Sequence, residues 1–433
     1  ERFLLVLLLA AVALVALVTI TAIDRQSREL RLLREELARR PAAVATAASG
    51  MASGGGDRAG NAEFFDPAAT SGGRLIQAIA ADIGSLNPIT GNEATASEIL
   101  GLCTSTLGTR NFARPEEFVP LMAESWESST DHKTFHIRLR KGILWHDFTD
   151  PETGEKVAPR EVTAADFVFY LDVIRDPKVN AAVLRGYYQD LDYIRAVGDY
   201  ELEIRWSNEY FRSLELSLGL SPLPRHFYCP GGRAFDPEKF NDDHERNRMV
   251  VGCGPYKLEQ WVRDQRFVLR RFNRYFGNEL GIAPPLETVV FEIVKAPNTR
   301  FQMLLAGELD ELGLLPEQWE KRAGEKPFSQ SVLGVGMSAA DQPLAPGETI
   351  RRARYLASAY YYIGYNLRHP LFQDKRVRQA LTLLTDRERI LRDVFCDRGR
   401  VISGPFFYDS PYYDREIAPW PFDPVREIGR AHV

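Results

Sequence analysis

The 433-residue chain contains no HExxH pair, no nucleophile elbow, no Walker A sequence and no dinucleotide fingerprint. Zinc-protease, serine-hydrolase, P-loop and Rossmann-type chemistry therefore have no foothold in it, and no cofactor is implied. Cysteine is scarce: Cys103, Cys229, Cys253 and Cys396 lie far apart, which leaves neither a zinc site nor a CxxC redox pair and assigns no disulfide. The seven histidines are dispersed; His132 and His136 are four apart, but they straddle a turn entering a strand, where contact with solvent accounts for them better than a metal does. A basic excess is also missing. With 54 Lys and Arg against 59 Asp and Glu the formal charge is -5, which argues against a nucleic-acid partner, whose binding face concentrates positive charge.

What is present is apolar material sufficient for sizeable cores, 45% hydrophobic and 11% aromatic, at a length that suits two or three domains. From Phe3 to Ile23 the chain is apolar apart from two threonines, long enough to cross a bilayer as a helix. The run is longer than the apolar region of a cleaved secretory signal, and no lipoprotein cysteine ends it, the first cysteine being Cys103, so residues 1–23 read as an uncleaved signal anchor rather than a cleaved signal. The chain does not open on Met, and charges ahead of the run are therefore unread. Arginines at 25, 28, 31, 34, 39 and 40 follow it, a bias that by itself would favour a cytoplasmic side. Residues 24–40 form a charged juxtamembrane segment with Leu30, Leu33 and Leu37 at heptad-like spacing, either a solvated helix or a short coiled coil. Residues 41–73, rich in Ala, Gly and Ser, read as a tether.

Beyond the tether, strand patterns recur at Leu75–Ile79, Thr134–Leu139, Glu201–Trp206, Tyr256–Leu258, Arg266–Arg271 and Val289–Val294. Helical patterns fall at Ala96–Cys103, Ala164–Arg175, Thr299–Ala306 and Arg376–Phe395, so the class is mixed α/β without internal repeats. Thr163 three residues ahead of Asp166 has capping-box spacing, and so has Thr385 ahead of Glu388, which divides the last stretch into two helices meeting near Thr385. Phe372 and Val377 read as core, with Arg376 and Arg378 on the solvated side. Asp147, Asp150, Glu152 and Glu155 crowd one loop but lack the EF-hand positions; a solvated hairpin tip around Thr153–Gly154 is the simpler reading than a calcium site. Gly252 and Gly254 permit tight backbone geometry ahead of a strand rather than a phosphate cradle.

Four blocks in one order resemble the family 5 solute-binding proteins, the peptide- and nickel-type receptors of ABC importers. They are Ser85-Leu86-Asn87-Pro88, with Asn where Asp is usual; Ala123 to Asp176, with a longer loop at Phe148–Val162; Val251 to Phe276, with Cys253 where Thr is usual; and Ala359 to Ile390. Gly307-Glu308-Leu309-Asp310 is similar to a further family segment and caps the helix before it. The resemblance implies a type II, two-lobed α/β periplasmic-binding-protein fold. Lobe I would comprise 74–116 and 223–356, an inserted small domain 117–222, and a second large lobe 357–433. Phe422-Asp423-Pro424 resembles the lead-in to a further helix, so the second lobe is expected to be incomplete, and Glu427–Val433 reads as a non-native ending.

By the same resemblance, the protein captures an oligopeptide or similar small solute outside the cytoplasmic membrane and delivers it to an ABC permease by hinge closure, without enzymatic chemistry. The lipid bilayer is a further expected partner, through the N-terminal helix. Tyr360, Tyr361 and Tyr362 fall where the family's chain enters the second lobe at the mouth of the cleft. On an extended segment Tyr360 and Tyr362 share one face and Tyr361 takes the other; a core aromatic cluster and ligand contact both fit them. Ser105-Thr106-Leu107 aligns with the edge that pairs with peptide backbone, which makes Thr106 and Leu107 candidate contacts, although the family's acidic residue there is absent. A membrane-anchored sensor using the same fold for signalling is the alternative, and an enzyme of unknown chemistry the other.

Overall fold

The computed structural model describes residues 61–62, 65, 71–91, 93–112, 117–242, 245–321, 328–330, 350–352, 360–406, 408 and 413–424. The anchor, the juxtamembrane segment, most of the tether and the final residues 425–433 lie outside them. Among the described residues no helix is long and apolar enough to cross a membrane. The described residues up to Leu312 form one compact unit and those from Gly313 onward another.

The first unit opens with β1 (Arg74–Ile79), α1 (Ala94–Cys103), β2 (Gly108–Arg110), β3 (Phe118–Pro120), β4 (Ala123–Ser128), β5 (Thr134–Leu139), β6 (Phe148–Thr149) and β7 (Lys156–Val157). It continues through α2 (Ala164–Arg175), α3 (Ala182–Tyr187), β8 (Leu191–Gly198), β9 (Glu201–Trp206), α4 (Ser213–Leu218), α5 (Arg225–Tyr228) and α6 (Pro237–Asp242). Then come β10 (Tyr256–Val262), β11 (Arg266–Arg271), β12 (Thr288–Ile293) and α7 (Pro297–Leu305).

Two four-stranded sheets carry the unit. One runs β1-β12-β11-β10, with β1 parallel to β12 and the other neighbours antiparallel. The parallel pair joins strands more than two hundred positions apart in the chain. Its core gathers Ile79, Ile83, Leu86, Ile99, Phe267, Leu269, Val289 and Phe291. The helix α7 is closed by Ala306 and then Gly307, whose φ of 74° suits a residue without Cβ; Glu308 then donates its amide to the Met303 carbonyl. The next residues turn back on β1: the Asp310 carboxylate accepts from the Ile76 amide at 2.7 Å.

The second sheet is antiparallel in the order β4-β5-β9-β8. Phe135, Ile137 and Leu139 of β5 are buried while His136 and Arg138 are exposed, the alternation of a half-buried strand. Phe135 pairs with Ile204 and Ile137 with Leu202 on β9, so both strands turn their apolar sides to one core. The helix α2 packs Phe167 and Leu171 into it. Its start is a capping box: the Asp166 carboxylate accepts from the Thr163 amide at 2.9 Å, and also from the indole N–H of buried Trp145 at 3.3 Å. Burial holds the Asp166 carboxyl above the usual carboxylate range.

In the second unit α8 (Pro316–Lys321) and a parallel pair, β13 (Phe328–Gln330) with β14 (Ile350–Arg352), precede α9 (Pro370–Gln373), α10 (Lys375–Leu383) and α11 (Arg387–Asp393). The expected division near Thr385 is there, but the cap differs. Asp386, one residue later, accepts from the Arg389 amide at 2.9 Å, while the Thr385 hydroxyl donates back to the Leu381 carbonyl. Phe372 and Val377 are half-buried rather than core, and Phe372 lies between the rings of Tyr365 and His369. Arg378 is not on a solvated face: it is half-buried and donates to the Phe372 and Gln373 carbonyls, satisfying the open end of α9.

Candidate functional site

The tyrosine segment opens the described stretch from 360 and carries no strand pairing, so its alternation comes from an extended chain and not from a sheet. Tyr360 and Tyr362 nevertheless share a side, their ring centroids 5.6 Å apart, and Tyr361 turns away to meet Phe395 at 4.7 Å. Tyr362 is 77% exposed, against 45% for Tyr360 and 44% for Tyr361. An exposed pair of phenol rings offers apolar faces and hydroxyl tips to a ligand.

The other candidate edge is occupied by the chain itself. Leu107 is fully buried; its amide donates to Leu220, and its carbonyl accepts from the amides of Leu121 and Ala123. It offers a ligand neither an open backbone group nor a side chain, because this stretch already serves as a strand-like partner for residues 121–123. Thr106 is half-buried, with its hydroxyl donated to the Gly108 carbonyl at 2.8 Å and its own carbonyl accepting from Met122.

The most conspicuous motif residues are architectural. Gly252 and Gly254 lie against the end of α1: a Cβ on Gly252 would stand 1.8 Å from the Cys103 carbonyl oxygen, and one on Gly254 2.5 Å from the Cys103 carbonyl carbon. The close approach lets Gly254 donate its amide to Cys103 and lets Gly252 accept from the His146 amide. His146 is buried between this turn and Phe272 and hydrogen-bonds the Gly254 carbonyl through Nε2 at 3.0 Å. A carbonyl only accepts, so Nε2 carries the proton and Nδ1, buried without a partner, does not. Burial pushes the imidazole down to about 4. Beside it Asp147 pairs with Lys257 at 2.7 Å; the lysine outweighs the effect of burial and holds the carboxyl below its usual range.

Asn87, the departure from the expected Asp, is buried and uses its whole amide. Its oxygen accepts from the Ile89 and Thr90 amides, while its nitrogen donates to the Phe240 carbonyl and to Asn247 Oδ1, both near 3 Å. An aspartate could accept but not donate there. Cys253, the second departure, sits in the core with its sulfur 4.0 Å from that of Met122.

The acidic loop forms the expected hairpin, β6 with β7, around Gly154 at φ 71°. Its tip is not simply solvated, however. Asp150 is buried and accepts from the Glu152 and Thr153 amides and from Arg246, itself buried, at 3.1 Å. Glu152 is bound by Lys239, Arg233 and Arg246, and these bonds, led by the one from Lys239, lower its pKa. The carboxylates thus pin the long loop to the 228–248 region, flanking a cavity of about 240 Å³. Sequence spacing could not reveal this, since Arg246 lies almost a hundred residues downstream. Among the described residues no three His, Cys, Asp or Glu side chains gather as a metal site.

Solved structures similar to this chain include the oligopeptide-binding protein AppA from Bacillus subtilis in complex with a nonapeptide, at a TM-score of 0.62 and 21% identity, covering 84% of this chain and 64% of that one. DppA from Helicobacter pylori in complex with the peptide STSA is another, at 0.63 and 20%, covering 84% and 66%. They establish the fold as that of α/β, type II periplasmic binding proteins. Curated relatives include the oligopeptide-binding protein AppA of Bacillus subtilis, 27% identical over 302 residues (68% of this chain, 47% of the relative). The dipeptide-binding protein of Escherichia coli is 24% identical over 324 residues (72% and 54%). The chain spans about half the length of the curated relatives it matches. The model of the bacterial extracellular solute-binding proteins, family 5 Middle, matches residues 117–426, and the chain belongs to that family.

Proposed function

We propose that this protein is the substrate-binding component of an ABC-type importer, which captures a peptide or similar small solute outside the cytoplasmic membrane and hands it to the permease. The family match over residues 117–426 carries the reading, and the names of the relatives, binders of oligopeptides and dipeptides, supply the ligand class. No bond is made or broken in such a role. A ligand favours whichever conformation it contacts more, and that shift is the signal a permease reads. In this reading Tyr360 and Tyr362 are aromatic contacts for the solute, with Tyr361 buttressed by Phe395.

The reading extends to organisation. The sheet β1-β12-β11-β10 would be the centre of lobe I (74–116 and 223–356), the sheet β4-β5-β9-β8 that of the inserted domain (117–222), and the second large lobe would begin near 357. The apolar length of Phe3–Ile23 supports a single-pass anchor that holds the receptor at the membrane.

Thermal unfolding with a panel of dipeptides, tripeptides and nonapeptides tests the function. A bound peptide raises the melting temperature by mass action, by about 2.7 kcal/mol of stability at a hundredfold excess over Kd. The absence of any shift across the panel at millimolar concentration would overturn a peptide ligand.

A further inference from the structure

The helix α10 is amphipathic: Leu383 is buried and Val377, Ala380 and Leu381 are half-buried along its apolar side. Lys375, Arg378, Gln379 and Thr382 fall at i, i+3, i+4 and i+7, a single polar stripe. This stripe, together with Arg387 of α11 and the segment 417–420, lines a cavity of about 360 Å³. Small-molecule sites run from roughly 300 to 1,000 Å³. Three cations line this one and no carboxylate does. Like charges gathered in a concave site repel one another, and that cost is relieved by an anion.

Three carboxylates on these helices have partners outside the cavity. Asp374 pairs with Arg376, Asp386 caps α11, and Asp393 pairs with Arg389. Two of the cations are held in place rather than swept by solvent: Arg378 by the Phe372 and Gln373 carbonyls, Arg387 by the Trp420 carbonyl. A guanidinium has five N–H donors, so these bonds orient each head and leave donors over. Beside the cations stand the apolar side chains of Ile417 and Trp420, 58% and 44% exposed.

We propose that this cavity binds a small organic carboxylate bearing an apolar or aromatic substituent, with Lys375, Arg378 and Arg387 taking the carboxylate and Ile417 and Trp420 the apolar part. Charge alone would suit any oxyanion; the adjoining apolar wall selects the carbon-bearing one. The proposal does not rest on the peptide-receptor reading, and either can fail without the other.

Calorimetric titration of the full chain with 3-phenylpropionate, 3-phenylpropionamide and inorganic phosphate tests it. The acid is expected to bind in the micromolar to millimolar range, more weakly as salt rises, and at least tenfold tighter than the amide. Lys375→Gln should weaken the acid about tenfold and Lys375→Arg should restore it, with the unliganded melting temperature lowered in neither, since Lys375 is exposed. Failure of the acid to bind, equal binding of acid and amide, indifference to Lys375→Gln, or displacement of the acid by an equal concentration of phosphate would each overturn it.

Discussion

His146 and Gly254 are joined by a hydrogen bond from Nε2 to a main-chain carbonyl, at 3.0 Å, inside the core that links the second sheet's loop to the turn before β10. The bond fixes the tautomer, and a second proton, placed on Nδ1, would be buried with no acceptor for its hydrogen bond. His226, packed on Trp145 and Phe148, is in a similar position with Nε2 unpartnered.

Stability should therefore fall in mild acid. Burial lowers both imidazoles to about 4 in the folded chain, with the Arg160 charge adding to the effect at His226. The unfolded chain titrates near 6.5, so between those values it binds more protons than the folded one. The contribution is complete above about pH 6.5 and drains away as pH falls toward about 4, amounting to about 2 kcal/mol per histidine by pH 5. Urea unfolding at pH 7 and pH 5, compared with His226→Gln, measures it; the variant should lose roughly half of the pH dependence. A wild-type curve flat across this window would refute the buried neutral state.

The two glycines ahead of β10 should tolerate no side chain. Because a Cβ on Gly252 would overlap the Cys103 carbonyl, backbone and not a flexible side chain would have to move. Gly252→Ala and Gly254→Ala are each expected to cost more than about 4 kcal/mol, in the exceptional range for single substitutions. Gly101 is the internal contrast: it is exposed within α1 and nothing lies within 4 Å of the position its Cβ would take. Gly101→Ala should stabilise the chain by up to about 1 kcal/mol. Chemical denaturation of all three variants tests the ranking, and a well-folded Gly252→Ala would contradict the packing.

How much of this was legible depends on whether a residue's fate is set locally. The strands β5, β9 and β11 and the helix α2 show their boundaries in sequence, because alternation or a capping pair coincides with burial. The strands β4 and β8, at the two edges of their sheet, carry only Ala123, Leu191 and Ile194 buried between them. They are strands because β5 and β9 supply the hydrogen-bond partners, and no periodicity in them says so. The roles of Gly252, Asn87 and Asp150 are set by residues from tens to more than a hundred positions away, which is why spacing identifies the motif and not its contacts. The tyrosine segment shows its alternation in advance, yet nothing local indicates that Phe395 supports its middle ring.

Asp150 and Arg246 make a buried ion pair, and removing one charge should cost more than removing both. Arg246 is held by Asp150 and by the Phe227 carbonyl, and its guanidinium lies over the Phe227 ring. Arg246→Met leaves the Asp150 carboxylate buried without its cation and should cost about 3–5 kcal/mol. Asp150→Asn with Arg246→Met removes both charges, and the double variant should be more stable than Arg246→Met alone. A double-mutant cycle by urea denaturation gives the coupling; strict additivity would mean that the pair contributes nothing beyond its separate groups.

The four cysteines should divide three against one toward alkylating agents. All are free; Cys103, Cys229 and Cys253 are buried, and Cys396 is exposed. Burial pushes the Cys103 and Cys253 thiols up to about 12 and raises that of Cys229, so the reactive thiolate is suppressed at each in addition to being shielded. Native protein at pH 8 should take up one equivalent of iodoacetamide rapidly and all four once denatured, and Cys396→Ser should abolish the rapid phase. A second rapid equivalent in the native chain would mean that the packing around Cys103, Cys229 or Cys253 opens on the timescale of labelling, and single Cys→Ser variants would say which. At Cys103 or Cys253 the weakness would lie where His146, Gly252 and Gly254 are expected to make the structure most rigid.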